Sequence, residues 1–207
     1  MKYINFYKNF STYPLINLRD IQNFDSKFDN RRLYEWQNKG YIKKIINNFY
    51  VFSDKSFQDN EINFIANRLY QPSYLSLEYA LNYYGLIPEI VFLRTSISSR
   101  KTKLIKTSII SNFKYQTIKP KLFFGYKLIN QNNITFKIAE TEKALLDLFY
   151  LRLDLKTEDD FYEMRFNKEE FKKNINTKKL FNYLNIFNST SLNQRINKLI
   201  NFLKKND

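Results

Sequence analysis

The chain has 207 residues, enough for one large domain or a small domain joined to a medium one; 43% hydrophobic and 18% aromatic content with scarce Gly and Pro excludes a disordered polymer. Cys and His are both absent, which excludes disulfides, thiolate metal sites and the commonest general base, weighs against an enzyme, and predicts no cofactor and no metal. Lys and Arg number 34 against 20 Asp and Glu, a net charge of +14, so an acidic, self-solvating chain is excluded.

Part of the lysine content reflects an AT-rich coding sequence, to judge from the accompanying Asn, Ile, Phe and Tyr. That bias leaves Asp and Glu unsuppressed, so the excess of cations still describes a surface that attracts polyanions. Nucleic acid is the leading partner class, and a merely soluble basic protein is the plain alternative. No apolar run approaches bilayer length, and Met1 to Phe6 lack the apolar stretch of a signal peptide. The expectation is a cytoplasmic protein with no membrane contact.

In chain order, a first helix is predicted over Tyr3 to Phe10, where Ile4, Tyr7 and either Lys8 or Phe10 recur at helical spacing; Ser11-Thr12-Tyr13-Pro14 breaks it. A second helix starts after Asn17 as N-cap, with Leu18, Ile21 and Gln22 on one side and Asp20 in its first turn, where the helix dipole favours a negative charge. Residues Asp25 to Phe28 make a turn and Asp29 caps a third helix. On that helix Leu33, Trp36, Gln37 and Gly40 share one face, and Arg31, Tyr34, Glu35 and Asn38 share the other. Such a division suits a recognition helix, because the apolar face anchors it while Arg, Tyr and Asn reach base edges and phosphates. Its predicted DNA contacts are Asn30, Arg31, Arg32, Tyr34, Asn38 and Lys39. An ordinary solvated face is the plain alternative.

Gly40 ends the third helix at a position where a left-handed backbone is usual. Strands over Tyr41 to Ile46 and Phe49 to Phe52 then flank Asn47-Asn48, a pair that tolerates the positive φ of a tight hairpin. Lys43 and Lys44 sit on this wing as further DNA contacts, and the adjacent Ile45 and Ile46 predict a bulge. The order of elements predicts a winged helix-turn-helix over residues 1–56.

The remaining residues, 57–207, read as a second domain. A helix over Glu61 to Leu69 carries Ile62, Ile65, Ala66 and Leu69 on one stripe and closes at Pro72. The run Tyr74-Leu-Ser-Leu-Glu-Tyr-Ala-Leu-Asn-Tyr-Tyr-Gly-Leu-Ile puts Leu77, Ala80, Leu81 and Tyr84 on a helix that starts at Ser76 and stops at Gly85. Strand-like patches at Ile90 to Thr95, Ser108 to Ile118, Leu122 to Tyr126 and Ile134 to Ile138 predict a small antiparallel sheet. From Glu61 to Ile138 there are eight Lys and three Arg against three Glu and no Asp. Arg100, Lys101, Lys103 and Lys106 are therefore either a second nucleic-acid surface or a solvated loop.

The run Ile138-Ala-Glu-Thr-Glu-Lys-Ala-Leu-Leu-Asp-Leu-Phe-Tyr150 reads as a helix apolar around most of its circumference, hence central. Glu142, Lys143 and Asp147 on it have a catalytic reading, a partner-interface reading, and a structural one in which Lys143 and Asp147 pair at i,i+4. The structural or interface readings fit better, and no catalytic residue is assigned. Glu170-Phe171-Lys172, with Asp159 and Asp160 upstream, has the Glu-x-Lys spacing of some nucleases. Its surroundings look helical, however, where such sites want a strand. Ser191 to Lys205 closes the chain as a helix with Leu192, Ile196, Leu199, Ile200 and Leu203 inward and Arg195, Lys198, Lys204 and Lys205 elsewhere.

On these residues the chain resembles the AbiEi-type antitoxins of type IV toxin-antitoxin, or abortive infection, systems. In that family a winged-helix domain precedes a segment like Tyr74 to Ile87, a Thr-containing strand like Phe92-Leu93-Arg94-Thr95, and an Ala-x-x-Glu-Lys-Ala-Leu-Leu-Asp helix like Ala139 to Asp147. The likeness spans about residues 10 to 155. It implies a cytoplasmic phage-defence antitoxin that represses its own promoter by binding double-stranded DNA and antagonises a nucleotidyltransferase-like toxin through its C-terminal domain. The wing tip departs from the family, which often carries a basic residue and Gly where this chain has Asn47-Asn48, so the expected weight of contact moves to Arg31, Arg32 and Tyr34.

The expected fold class is thus α+β, an N-terminal winged helix-turn-helix followed by a mixed domain of helices and a small antiparallel sheet, with a monomer favoured. Two other functions stay open: a nucleic-acid-processing enzyme targeted by a winged helix, and a protein-interaction module without DNA binding.

Overall fold

A computed structural model of the chain describes residues 1–88 and 92–205. It is a mixed α and β structure, with ten α-helices and two sheets among the described residues. The first third of the chain runs α1 (Tyr3–Phe10), β1 (Ile16–Asn17), α2 (Leu18–Phe24), α3 (Arg31–Asn38), β2 (Ile42–Ile46) and β3 (Phe49–Phe52). The strands form an antiparallel sheet in the order β1-β3-β2.

Local chemistry sets these boundaries. The Asn17 side chain accepts from the Arg19 amide at 2.8 Å and so starts α2. At α3 the N-cap position is Asn30 rather than Asp29, but the Asp29 carboxylate still accepts the Arg31 amide at 2.9 Å. Gly40 (φ +71) turns the chain out of α3, and Asn48 (φ 69) turns the hairpin. The register of β2 against β3 slips between Lys44 and Ile46, where the paired isoleucines predict a bulge.

The helices close over an aromatic core of Phe6, Phe10, Ile16, Ile21, Phe28, Leu33, Trp36, Ile42, Tyr50 and Phe52. Trp36 lies 4.6 Å from the ring of Phe6 and 5.9 Å from that of Phe28. The inward face of α1 is rotated from the expected one: Phe6 and Phe10 are buried while Ile4 is exposed, because Phe6 packs on Trp36, Phe52 and Phe10, and Tyr7 reaches Phe52 only from the edge of that cluster.

The second sheet has six strands, β4 (Ser73–Leu75), β5 (Arg94–Ser98), β6 (Lys103–Ile105), β7 (Phe113–Thr117), β8 (Tyr126–Gln131) and β9 (Ile134–Ala139), in the order β6-β7-β5-β4-β9-β8. The expectation of a small antiparallel sheet is corrected on both counts. Pairs β5/β7 and β4/β9 are parallel and the other three antiparallel. β6 runs back along the outer edge, which lets β7 insert between it and β5 in the direction of β5. Ile90 and Val91 of the first predicted patch lie outside the described residues. Leu122 ends a 3-10 turn rather than starting a strand.

α4 (Asp59–Leu69) covers the sheet face on which Tyr115 donates to the Ala66 carbonyl at 2.7 Å. The opposite face, bearing Tyr74, is covered by α5 (Leu77–Tyr83) and α6 (Thr141–Leu151), around which α7 (Glu158–Glu163), α8 (Lys168–Asn174), α9 (Thr177–Phe187) and α10 (Thr190–Lys205) are wrapped. The apolar run from Ile138 begins as strand, since Ile138 and Ala139 belong to β9, and every residue from Thr141 to Phe149 is buried. Leu15, Ile45 and Val51 from the first third of the chain join the larger core, so one apolar cluster crosses the join near residue 56. No helix among the described residues is long and apolar enough to cross a membrane.

Candidate nucleic-acid interface

Burial of Leu33 and Trp36 fixes the roll of α3, and its other face is left to solvent. Asn30, Arg31, Arg32, Tyr34, Asn38 and Lys39 are all exposed, with Tyr34 at 69% and the Arg31 side chain at 91%. Arg31 lies 3.5 Å from Asp29 and Arg32 3.1 Å from Glu35, both in open solvent, where such pairs hold a side chain only weakly and leave it free to exchange partners. Lys43 and Lys44 are exposed on β2 while Ile42 and Ile45 on the same strand are buried.

The hairpin and the second helix meet. The Leu18 amide donates to the Asn48 carbonyl at 2.9 Å, which sets the start of α2 against the hairpin turn. Arg19, exposed in the first turn of α2, therefore stands beside that turn. It escapes a wheel-based search of α3, although a cation two residues after the Asn17 cap is a readable signal. Exposed cations thus lie on α2, α3 and β2, with Tyr34 exposed on α3, the side-chain types that contact phosphates and base edges.

Arg100, Lys101, Lys103 and Lys106 are also exposed, but Lys103 starts β6 and the other three flank that strand. Arg100 and Lys103 lie over the ring of Tyr70 at 4.5 and 5.1 Å, and Tyr70 in turn donates to the Lys101 carbonyl at 2.9 Å. Cation–π contact with one tyrosine orders this cluster.

Glu142, Lys143 and Asp147 are buried, Lys143 and Asp147 completely, which removes them from any partner surface and corrects that expectation. Lys143 and Asp147 form an ion pair one helical turn apart. Asp147 also accepts from Tyr74 at 3.0 Å and Ser76 at 2.9 Å, and Glu142 accepts the Asn176 amide at 2.8 Å. Burial pushes the Lys143 amine down and the Asp147 carboxyl up, while their mutual attraction opposes both shifts. Glu170 lies on α8, where its carboxylate meets Lys173 and Asn174. Arg195, expected on the outer side of the last helix, is buried and donates to the carbonyls of Phe149 at 2.6 Å and Arg152 at 3.0 Å. No protein-family model matches the chain, and no curated protein matches it.

Proposed function

We propose that this chain is a sequence-specific DNA-binding regulator that reads duplex DNA with α3 and the β2–β3 hairpin as a winged helix-turn-helix. The observation that carries this is the order helix, strand, helix, helix, strand, strand with β3 between β1 and β2, combined with an α3 whose outward face holds Arg31, Arg32, Tyr34 and Asn38. A net charge of +14 supports a polyanionic partner. On the sequence resemblance, we take the chain for an AbiEi-type antitoxin that represses its own promoter and antagonises a nucleotidyltransferase-like toxin. It acts by binding, not by catalysis.

A gel-shift titration against its own upstream DNA tests the reading. Binding should prefer that DNA over competitor. Arg31→Ala or Arg32→Ala should cost about 1–3 kcal/mol where a base contact is lost, and Lys43→Ala or Lys44→Ala should lower the salt slope by about one each. Equal affinity for competitor, with both arginine variants indifferent, would sink it.

A further inference from the structure

Between α1, α2 and α4 lies a cavity of about 360 Å3, within the span of about 300–1,000 Å3 usual for small-molecule sites. Phe10, Tyr13, Phe24 and Phe64 supply its aromatic walls, and Asp20 and Arg68 line it as an opposed acid and base. Tyr13 and Phe24 are 55% and 59% exposed and flank the buried Phe10 at ring distances of 5.9 and 5.6 Å. Two large rings left in water beside a third, one edge-on and one tilted to it, leave aromatic surface that a further ring can cover.

The charged pair is also unfinished. Asp20 and Arg68 stand 3.8 Å apart, and both side chains are nearly half exposed, so their mutual attraction is worth little. A ligand that brings its own cation to Asp20 and its own carboxylate to Arg68 replaces one long contact by two short, charge-assisted ones. We propose that this cavity binds a planar aromatic zwitterion, the chemistry of an aromatic amino acid, with the ring against Phe10, Phe24 and Tyr13 and the two charges divided between Asp20 and Arg68.

The position gives such a ligand an effect, and this part rests on the proposed DNA-binding reading. Asp20 and Phe24 belong to α2, which leads into α3, whereas Phe64 and Arg68 belong to α4 against the six-stranded sheet. A molecule bridging them fixes the angle at which α2 and α3 are presented, and allosteric couplings of this kind are worth about five- to 150-fold in affinity.

Calorimetric titration of the full chain with L-tryptophan, L-tyrosine and L-phenylalanine tests the site without DNA. At least one should bind saturably, and tryptamine and indole-3-propionate, each lacking one charge, should bind at least about tenfold more weakly. Arg68→Gln, at a half-buried position, and Phe24→Ala, at an exposed one, should each weaken binding by a similar factor while leaving the unfolding midpoint in place. No saturable heat from any of the three, or undiminished binding by both variants, overturns the proposal. So does a self-associating chain whose dimer is dissolved by Phe24→Ala and which takes no zwitterion. A ligand that binds without moving the gel-shift affinity overturns the coupling alone, and one that binds a chain with no DNA affinity overturns the DNA reading alone.

Discussion

Lys143 is the largest charged side chain that the fold encloses completely, and the groups around it explain how it is tolerated. Its ammonium faces Asp147 and the Tyr74 hydroxyl, which accepts from it at 2.9 Å, and it lies about 5.1 Å from the rings of both Phe124 and Phe187. Asp147 in turn receives the Tyr74 and Ser76 hydroxyls, so neither charge is left without partners. Lys143→Met strands the carboxylate in the core and should destabilise by about 3–5 kcal/mol, the usual result of breaking a buried pair from one side. Adding Asp147→Asn removes the stranded charge while keeping an acceptor for the two hydroxyls. The double variant should then unfold at a higher urea midpoint than Lys143→Met alone. Additive losses would show that the pair does not act as a unit.

Elements whose ends are written in a few adjacent residues were legible, and Gly40 shows why. A Cβ built there meets nothing within 4 Å, so the glycine between α3 and β2 serves only its φ of +71. Gly40→Ala should cost about 1–2 kcal/mol of left-handed strain and Gly40→Asn less, read as a shift in the denaturation midpoint. Gly125 has a similar φ, but its Cβ would fall 3.1 Å from both Lys143 and the Tyr183 ring, so Gly125→Ala should cost more; an equal loss at the two sites would remove the steric part of the argument. The same local logic made α2, α3 and the Asn48 hairpin readable in advance. It failed for β4, a three-residue strand held by partners distant in sequence, with Leu75 opposite Ser96 and Ile138, and for β6, a three-residue edge strand with two of its three residues exposed and so no buried apolar run to mark it. The β8–β9 turn was a missed opportunity, since Asn132 and Asn133 both have positive φ and repeat the Asn-Asn signal at residues 47 and 48. In the candidate interface, Arg31, Tyr34 and Asn38 were legible as one helix face, with Arg32 beside it. The cavity beside it was not, because its walls come from α1, the α1–β1 loop, β1, α2 and α4.

At the scale of the whole molecule, the elements proposed to read DNA are either a detachable head or part of one cooperative body. Trp36, the chain's one tryptophan, sits in the aromatic cluster between Phe6 and Phe28 and reports on that cluster. Leu15, Ile45 and Val51 belong instead to the larger core, and Asp20–Arg68 and Lys55–Glu61 at 3.1 Å add ion pairs across the same join. The apolar contacts and the Lys55–Glu61 pair carry the join, because Val51 is 1% exposed and the Lys55 and Glu61 side chains only 17% and 15%, whereas the Asp20–Arg68 pair is nearly half exposed and open to screening. In urea, the Trp36 fluorescence transition should therefore coincide with loss of helical circular dichroism from the rest of the chain. Ile45→Val, which removes one methylene from the shared cluster, should lower both transitions together by about 0.5–1.5 kcal/mol. A Trp36 transition that precedes the dichroism change, and moves alone in the Ile45 variant, would mean that the head unfolds on its own. A single transition would mean that α2 and α4 unfold as one body, so a ligand seated between them should raise the Trp36 and dichroism midpoints together, whereas a detachable head would leave the later transition unmoved.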